Sequence, residues 1–238
     1  MICFLTSNLT TEDRREIDPS NNLKEELRKY LPDKCSVIFV CSNPDCHERT
    51  DFYAEGHKNC FLSSGFRIKD FTVLDGRNEQ NARELIGGAD LIILAGGHVP
   101  TQNRFFNKIG LKDLLMDFQG VVIGISAGSM NSSEMVYVQP EEEGEAIDFG
   151  FQRFFPGLGL TKTMLIPHYH RKKDYIIDGL RLFEDVTFPD SIGKKFYAIP
   201  DGSYLFIEGG REHIRGEAYL IKDGSISMIC RDGESVGL

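Results

Sequence analysis

The sequence predicts an α/β fold: a doubly wound, mostly parallel sheet with helices on both faces and C-terminal antiparallel hairpins. Three observations predict it. Short apolar runs alternate with helix-like segments through the first half of the chain. Two of these runs end in glycine motifs, where buried strands commonly turn into helices. After Pro200, short apolar runs separated by glycine turns replace the alternation. The length of 238 residues suits one domain spanning 1–238.

The apolar runs before the midpoint predict parallel strands. These runs are residues 2–6, 36–41 and 66–74, the run that follows Asp90, and the run 121–125. Helices are predicted between them, after a cap at Asn21 and over residues 45–64 and 78–86. Near the C-terminus, residues 204–207, 218–221 and 226–229 read as hairpin strands at one side of the main sheet.

The most informative motif is Gly124-Ile-Ser-Ala-Gly128, which directly follows the apolar run 121–125. At a sharp strand-to-helix turn the central serine adopts a strained conformation, and small residues on either side let the backbone fold back. The motif therefore predicts that the Ser126 hydroxyl lies at the carboxyl end of a strand and at a helix N-terminus, where free N–H groups and the helix dipole favour developing negative charge. The alternative is a glycine-rich turn that only permits tight packing.

A second glycine pair, Gly96-Gly97, follows the run after Asp90. If the two strands are neighbours, the backbone N–H groups of Gly97 and Ala127 converge above Ser126. Two such donors form an oxyanion hole, which stabilises the negative charge that develops when a carbonyl is attacked. The alternative is a turn without a ligand.

Together these motifs resemble the peptidase E (aspartyl dipeptidase) and cyanophycinase family of serine peptidases. The resemblance rests on segments that occur in the family's order: Ala95-Gly96-Gly97, Thr101-Gln102, the Gly124–Gly128 motif, Gly159-Leu160 and Ile166-Pro167-His168. It implies a fold like that of class I glutamine amidotransferases, with serine in place of the amidotransferase cysteine. It also implies hydrolysis of small peptides through an acyl-enzyme on Ser126.

The resemblance assigns the general base to His168, at the end of the predicted strand 163–168. In the family the orienting carboxylate lies between nucleophile and histidine. Serine-to-acid spacing points to Glu141, and a longer interval than expected leaves Glu142 and Glu143 as alternates. A solvated acidic loop is the competing interpretation for most of these glutamates.

Four residues near the motifs are candidates for substrate binding: His98, Arg104, His170 and Arg171. His98 either lines the site or makes a structural hydrogen bond. The arginines can bind a substrate carboxylate, so a dipeptide with an acidic N-terminal residue is the first expectation. A cyanophycinase-like hydrolase of branched peptides, with an arginine branch attracted by residues 141–145, is an alternative. Two further alternatives are a non-catalytic or differently active amidotransferase-like binding module and an ordinary α/β-hydrolase esterase.

Composition limits the partners. A formal net charge of −9 argues against general binding of nucleic acid or of anionic membranes. The arrangement of Cys41, Cys46, His47 and His57 fits no common zinc pattern, and we expect neither a metal nor a cofactor. The six cysteines contain no C-x-x-C pair and read as free thiols. We expect a cytoplasmic protein, monomeric or homodimeric, whose partner is a small peptide substrate.

Overall fold

A computed structural model describes residues 1–238. The strands are β1 Ile2–Thr6, β2 Cys35–Val40, β3 Ile68–Leu74, β4 Leu91–Leu94, β5 Val121–Ile125, β6 Met135–Tyr137, β7 Phe154–Pro156, β8 Met164–Ile166, β9 Ile176–Ile177, β10 Leu180–Arg181, β11 Lys195–Ala198, β12 Tyr204–Glu208, β13 Arg211–Arg215, β14 Ala218–Lys222, β15 Ser225–Cys230 and β16 Ser235–Gly237. The α-helices are α1 Leu23–Tyr30, α2 His47–Ser63, α3 Ala82–Gly87, α4 Val99–Lys108, α5 Leu111–Met116, α6 Ala127–Asn131, α7 Tyr169–Lys172 and α8 Phe188–Asp190. A π-helical segment, Leu182–Thr187, precedes α8, and short 3-10 turns cover Ser20–Asn22 and Glu79–Asn81. No helix combines the length and the apolar character needed to cross a bilayer.

The main sheet has eight strands in the order β16-β13-β12-β1-β5-β4-β2-β3. The five strands from β1 to β3 in this order are parallel, and β12, β13 and β16 extend the sheet antiparallel. The sheet therefore confirms the predicted mostly parallel α/β architecture. The neighbours β4 and β5 place the two glycine motifs at one edge of the sheet, because both motifs follow the carboxyl ends of their strands.

Both faces of the main sheet are covered. Successive side chains of β5 point to opposite faces: Val122 belongs to a core cluster of 24 residues, whereas Val121, Ile123 and Ile125 belong to another of 19 residues. This double burial explains why β5 is apolar at every position rather than at alternate ones. It also gives the turn that follows β5 a rigid support.

A second sheet has four strands in the order β15-β14-β11-β8. The hairpin β14–β15 lies in this sheet, whereas the hairpin β12–β13 extends the main sheet; the prediction that all the hairpins lie beside the main sheet is therefore wrong for β14–β15. The reason is a separate core cluster, in which Ile166, Phe196 and Ile221 are buried together. Within this sheet β8 and β11 are parallel, with Ile166 paired to Ala198. The residues that follow these two strands are consequently neighbours.

Candidate active site

Ser126 lies in the turn between β5 and α6, with a backbone φ of 50° and ψ of −107°. A non-glycine residue at positive φ is strained, and the surrounding structure must hold it there. The turn is tight because a Cβ added at Gly124 would lie 2.8 Å from the Ser129 Cα, and one added at Gly128 would lie 2.2 Å from the Leu94 carbonyl oxygen. The two glycines of the motif are thus required by packing.

His168 follows β8 and faces Ser126. Its Nε2 lies 2.9 Å from the Ser126 Oγ, which is hydrogen-bonding distance. The residue has a φ of 61°, and its backbone N–H donates to the Ser7 Oγ at 2.8 Å. An imidazole in this position can accept the proton of the serine hydroxyl. The structure therefore places the two residues together as the sequence analysis expected.

The carboxylate beside His168 belongs to Asp201, which follows β11. Its Oδ1 lies 2.6 Å from the His168 Nδ1. Burial raises the pKa of Asp201, but the hydrogen bond with His168, the charge of His168, the Ser7 hydroxyl and the Arg171 guanidinium together hold that pKa below its usual range. Asp201 is therefore an ionised acceptor that keeps the Nδ1 proton in place, so that Nε2 faces Ser126.

The prediction that Glu141, Glu142 or Glu143 would face His168 is wrong for this structure. Glu141 Oε1 instead forms an ion pair with the Lys172 Nζ at 2.7 Å. The loop that carries these glutamates is held by Asp178, whose carboxylate accepts hydrogen bonds from the backbone N–H groups of Gly144 and Ala146. The acidic loop consequently has its own anchors, and none of them is the His168 imidazole.

Ser7 is a fully buried residue that links the candidate base to its carboxylate. Its Oγ accepts the His168 backbone N–H and donates to the Asp201 Oδ1 at 2.7 Å. The parallel register of β1 and β5 pairs Thr6 with Ile125, so Ser7 and Ser126 leave neighbouring strands side by side. Ser7 thus fixes both the backbone of His168 and the carboxylate of Asp201.

Sequence reasoning missed Asp201 and Ser7, although each had a positional signal. Asp201 comes three positions after the apolar residue Ala198, and Ser7 directly follows the first strand. The run 195–198 was not recognised as a strand, and so its parallel pairing with β8 was not foreseen. The family order of nucleophile, acid and histidine also predicts a carboxylate before His168, whereas Asp201 comes after it.

The two predicted oxyanion donors, Gly97 and Ala127, directly follow Gly96 and Ser126 along the chain. A Cβ added at Gly96 would be 3.6 Å from the Ser126 Cβ, so this glycine turn passes close to the serine. The Gly97 N–H donates no hydrogen bond within the protein, and a Cβ there would be 2.3 Å from the Ser42 Oγ. Ala127 begins α6, and its N–H therefore has no intrahelical acceptor. Neither amide donates a hydrogen bond to an acceptor within the protein, and their role as oxyanion donors stays a prediction.

Thr101 contacts two of the predicted substrate residues, His98 at the N-cap of α4 and Arg104 within that helix. The Nδ1 of His98 lies 2.8 Å from the Thr101 Oγ1, which also accepts a hydrogen bond from the Arg104 guanidinium. The Nε2 of His98 lies 3.3 Å from the Glu145 Oε1. Arg104 is exposed on the helix surface. The histidine, rather than the arginine, is the side chain that faces the acidic loop.

The other two predicted substrate residues have partners of their own. His170 is half exposed, and its Nε2 lies 2.9 Å from the Glu217 Oε1 rather than facing Ser126. Arg171 Nη2 lies 2.9 Å from the Asp201 Oδ2, an ion pair without hydrogen-bond geometry. Arg171 thus stabilises the charge of Asp201, and its proposed contact with a substrate carboxylate stays a prediction.

Two solved structures have a fold similar to that of this chain. A peptidase from an acI-B1 Actinobacterium has a TM-score of 0.69 and 17% identity, covering 100% of this chain and 96% of that chain. A candidate peptidase E protein from Listeria monocytogenes EGD-e has a TM-score of 0.61 and 20% identity, covering 90% of this chain and 96% of that chain. At these identities the likeness shows the fold alone. A search of curated proteins finds no match.

The family model described as Peptidase family S51 matches residues 4–215, nearly the whole chain. The match includes both glycine motifs, Ser126, His168 and Asp201. The chain therefore belongs to peptidase family S51 and is a serine-type peptidase.

Proposed function

We propose that this peptidase hydrolyses small peptides through an acyl-enzyme formed on Ser126, with His168 as the base and Asp201 as the orienting acid. One observation carries the proposal: the two nitrogens of the His168 ring contact the Ser126 hydroxyl at 2.9 Å and the Asp201 carboxylate at 2.6 Å. Nucleophile, base and acid are thus already aligned in the order that covalent catalysis requires.

The first chemical step breaks the peptide bond. His168 Nε2 takes the Ser126 proton as the serine Oγ attacks the carbonyl carbon, and the Gly97 and Ala127 amides receive the oxyanion. His168 then donates this proton to the departing amine, which leaves the acyl group on Ser126. In the second step a water molecule gives a proton to His168 and attacks the ester, releasing the acid and restoring the Ser126 hydroxyl.

Peptide hydrolysis by Ser126→Ala tests the assignment. Loss of the nucleophile commonly costs several orders of magnitude in kcat, because only binding and oxyanion stabilisation remain. Ser133→Ala is a matched control, since the buried Ser133 hydroxyl has no hydrogen-bond partner and takes no part in the site. Equal activity of Ser126→Ala and Ser133→Ala would show that another group performs the attack.

For the substrate we propose dipeptides with an acidic N-terminal residue. The support is the family membership, together with Arg171 beside Asp201 and Arg104 on α4. A charge-assisted contact is worth about 1.5–3 kcal/mol, so Asp-Leu should exceed Asn-Leu in kcat/KM by roughly tenfold to hundredfold. Equal values for the two peptides would remove this substrate class and leave the acyl-enzyme chemistry untouched.

The acidic loop favours a second substrate class, a branched peptide with an arginine side chain, as in a cyanophycinase-like hydrolase. Glu141 and Glu145 belong to this loop, and Glu145 contacts His98, which directly follows the candidate oxyanion residue Gly97. A β-aspartyl-arginine dipeptide decides between the two classes. Preference for this peptide over Asp-Leu would select the branched substrate.

A non-catalytic binding module remains the competing class of function. In such a protein the residues around Ser126 would hold a ligand without reacting, since a fold does not carry an activity by itself. The strained φ of Ser126 and its contact with His168 support the enzyme instead, because strain of this kind persists where the surrounding structure maintains it for function. Turnover of any dipeptide that depends on Ser126 excludes the binding module.

A further inference from the structure

The loop between β6 and β7 carries carboxylates that lie close to His98, the residue that precedes α4. Single donor atoms of His98, Glu142 and Glu145 all lie within 4.8 Å of one another. We propose that these three side chains form a binding site for a tetrahedrally coordinated divalent cation of the Zn²⁺ class. None of the three side chains belongs to the Ser126, His168 and Asp201 set, so occupancy of the site does not depend on the chemistry proposed for Ser126.

The distance between the donor atoms of His98 and Glu145 matches a metal site. His98 Nε2 and Glu145 Oε1 are 3.3 Å apart, which is long for a charge-assisted hydrogen bond. Zinc binds imidazole nitrogen and carboxylate oxygen at about 2.0–2.2 Å, and a tetrahedral angle between such ligands separates them by roughly 3.3–3.5 Å. The two atoms therefore need little movement to share one ion.

Neighbouring groups orient both donors. Thr101 Oγ1 lies 2.8 Å from the His98 Nδ1, which turns Nε2 toward the loop. The Glu145 Oε2 accepts the backbone N–H groups of Glu141 and Glu142, at 2.8 and 3.0 Å, so that Oε1 is the oxygen left for a ligand. Hydrogen bonds of this kind to the non-coordinating atoms are characteristic of metal ligands.

The chemistry of the set selects among cations. Imidazole suits Zn²⁺ and other late first-row ions, whereas Mg²⁺ and Ca²⁺ prefer oxygen ligands alone. Glu142 is exposed and supplies a third, adjustable ligand, and a water molecule would complete the tetrahedron. The two carboxylates balance the double charge of the ion. A bound metal would link the acidic loop to His98, which directly follows Gly97.

Metal titration of the full chain tests the site, with Ser126→Ala as the background so that binding is measured without turnover. We expect Co²⁺ to give the intense visible absorption of a tetrahedral complex, Zn²⁺ to displace it, and Mg²⁺ to leave it unchanged. Loss of a residue that hydrogen-bonds a metal ligand typically weakens metal binding roughly 10–100-fold. His98→Gln and Glu145→Gln should each weaken Zn²⁺ binding, measured by calorimetry, by more than that. Thr101→Val should weaken it within that range.

Glu143→Gln is the matched control, because Glu143 lies on the same loop with the same charge but outside the cluster. At about 0.15 M salt its long-range effect is largely screened, so Zn²⁺ affinity should stay close to that of the background. Three outcomes would overturn the site: no Zn²⁺ binding, binding that persists in His98→Gln, or equal losses in Glu143→Gln and Glu145→Gln.

Discussion

Replacing Asp201 by asparagine tests whether Asp201, rather than the Glu141 predicted from the sequence, orients His168. The Asp201 Oδ1 accepts both the His168 Nδ1 proton and the Ser7 hydroxyl. An asparagine amide can instead donate to Nδ1, which moves the ring proton to Nε2 and prevents that nitrogen from accepting the proton of Ser126. The side chain keeps its size, and Arg171, already more than half exposed, stays solvated. The fold should therefore survive.

The expected loss in kcat for Asp201→Asn is roughly 10⁴-fold, or about 5.4 kcal/mol of transition-state stabilisation. Glu141→Gln is the control. It removes only the partly exposed ion pair with Lys172, which is worth about 1 kcal/mol or less and should change kcat at most about fivefold. Steady-state hydrolysis of one dipeptide by both variants provides the comparison. A large loss in Glu141→Gln with an active Asp201→Asn would refute the assignment of the acid.

Three further predictions concern residues that support the site. Ser7→Ala removes the hydrogen bonds to His168 and Asp201, each worth about 1 kcal/mol. It should therefore lower kcat roughly thirtyfold with KM unchanged. A purely structural role of Ser7 would leave kcat intact. Gly128→Ala forces a Cβ against the Leu94 carbonyl and should cost about 1–3 kcal/mol, seen as a lower urea midpoint; an unchanged midpoint would contradict the tight turn. The pKa of Asp201 is lowered in the folded state, so its ionised form stabilises the fold. This contribution to the free energy of unfolding is complete above the unfolded pKa of 3.8 and is lost as the pH falls through the folded pKa. Asp201→Asn should remove that part of the pH dependence of unfolding.

Periodicity and glycine placement were enough to predict the main sheet. The first strand and the motif strand were predicted with their observed bounds, Ile2–Thr6 and Val121–Ile125, because both are continuous apolar runs between polar segments. The second sheet was not predicted. Its strands β8 and β11 are short, and their pairing depends on burial of Ile166 with Phe196, a contact between distant segments that no local pattern reveals.

Local sequence patterns also decide which residues of the candidate site could be predicted. Ser126 is predicted by its own motif and His168 by the family resemblance, and the structure brings their side chains together. The glycine pair after a strand predicts Gly97 as an oxyanion donor, and that role stays a prediction. Asp201 has no motif of its own, and its relation to His168 exists only through the parallel pairing of β8 with β11. Glu141 was chosen by spacing along the chain, whereas the contact with His168 is set by strand order in space.

Labelling with a serine-directed fluorophosphonate, followed by mass spectrometry of the intact and digested protein, tests the central claim most directly. The probe reacts only with a serine whose proton is removed and whose oxyanion is held, which are the properties proposed for Ser126. We predict one adduct, located on Ser126, that is absent in Ser126→Ala and forms orders of magnitude more slowly in His168→Ala. No adduct on the wild-type protein, or an adduct that persists in Ser126→Ala, would contradict the account.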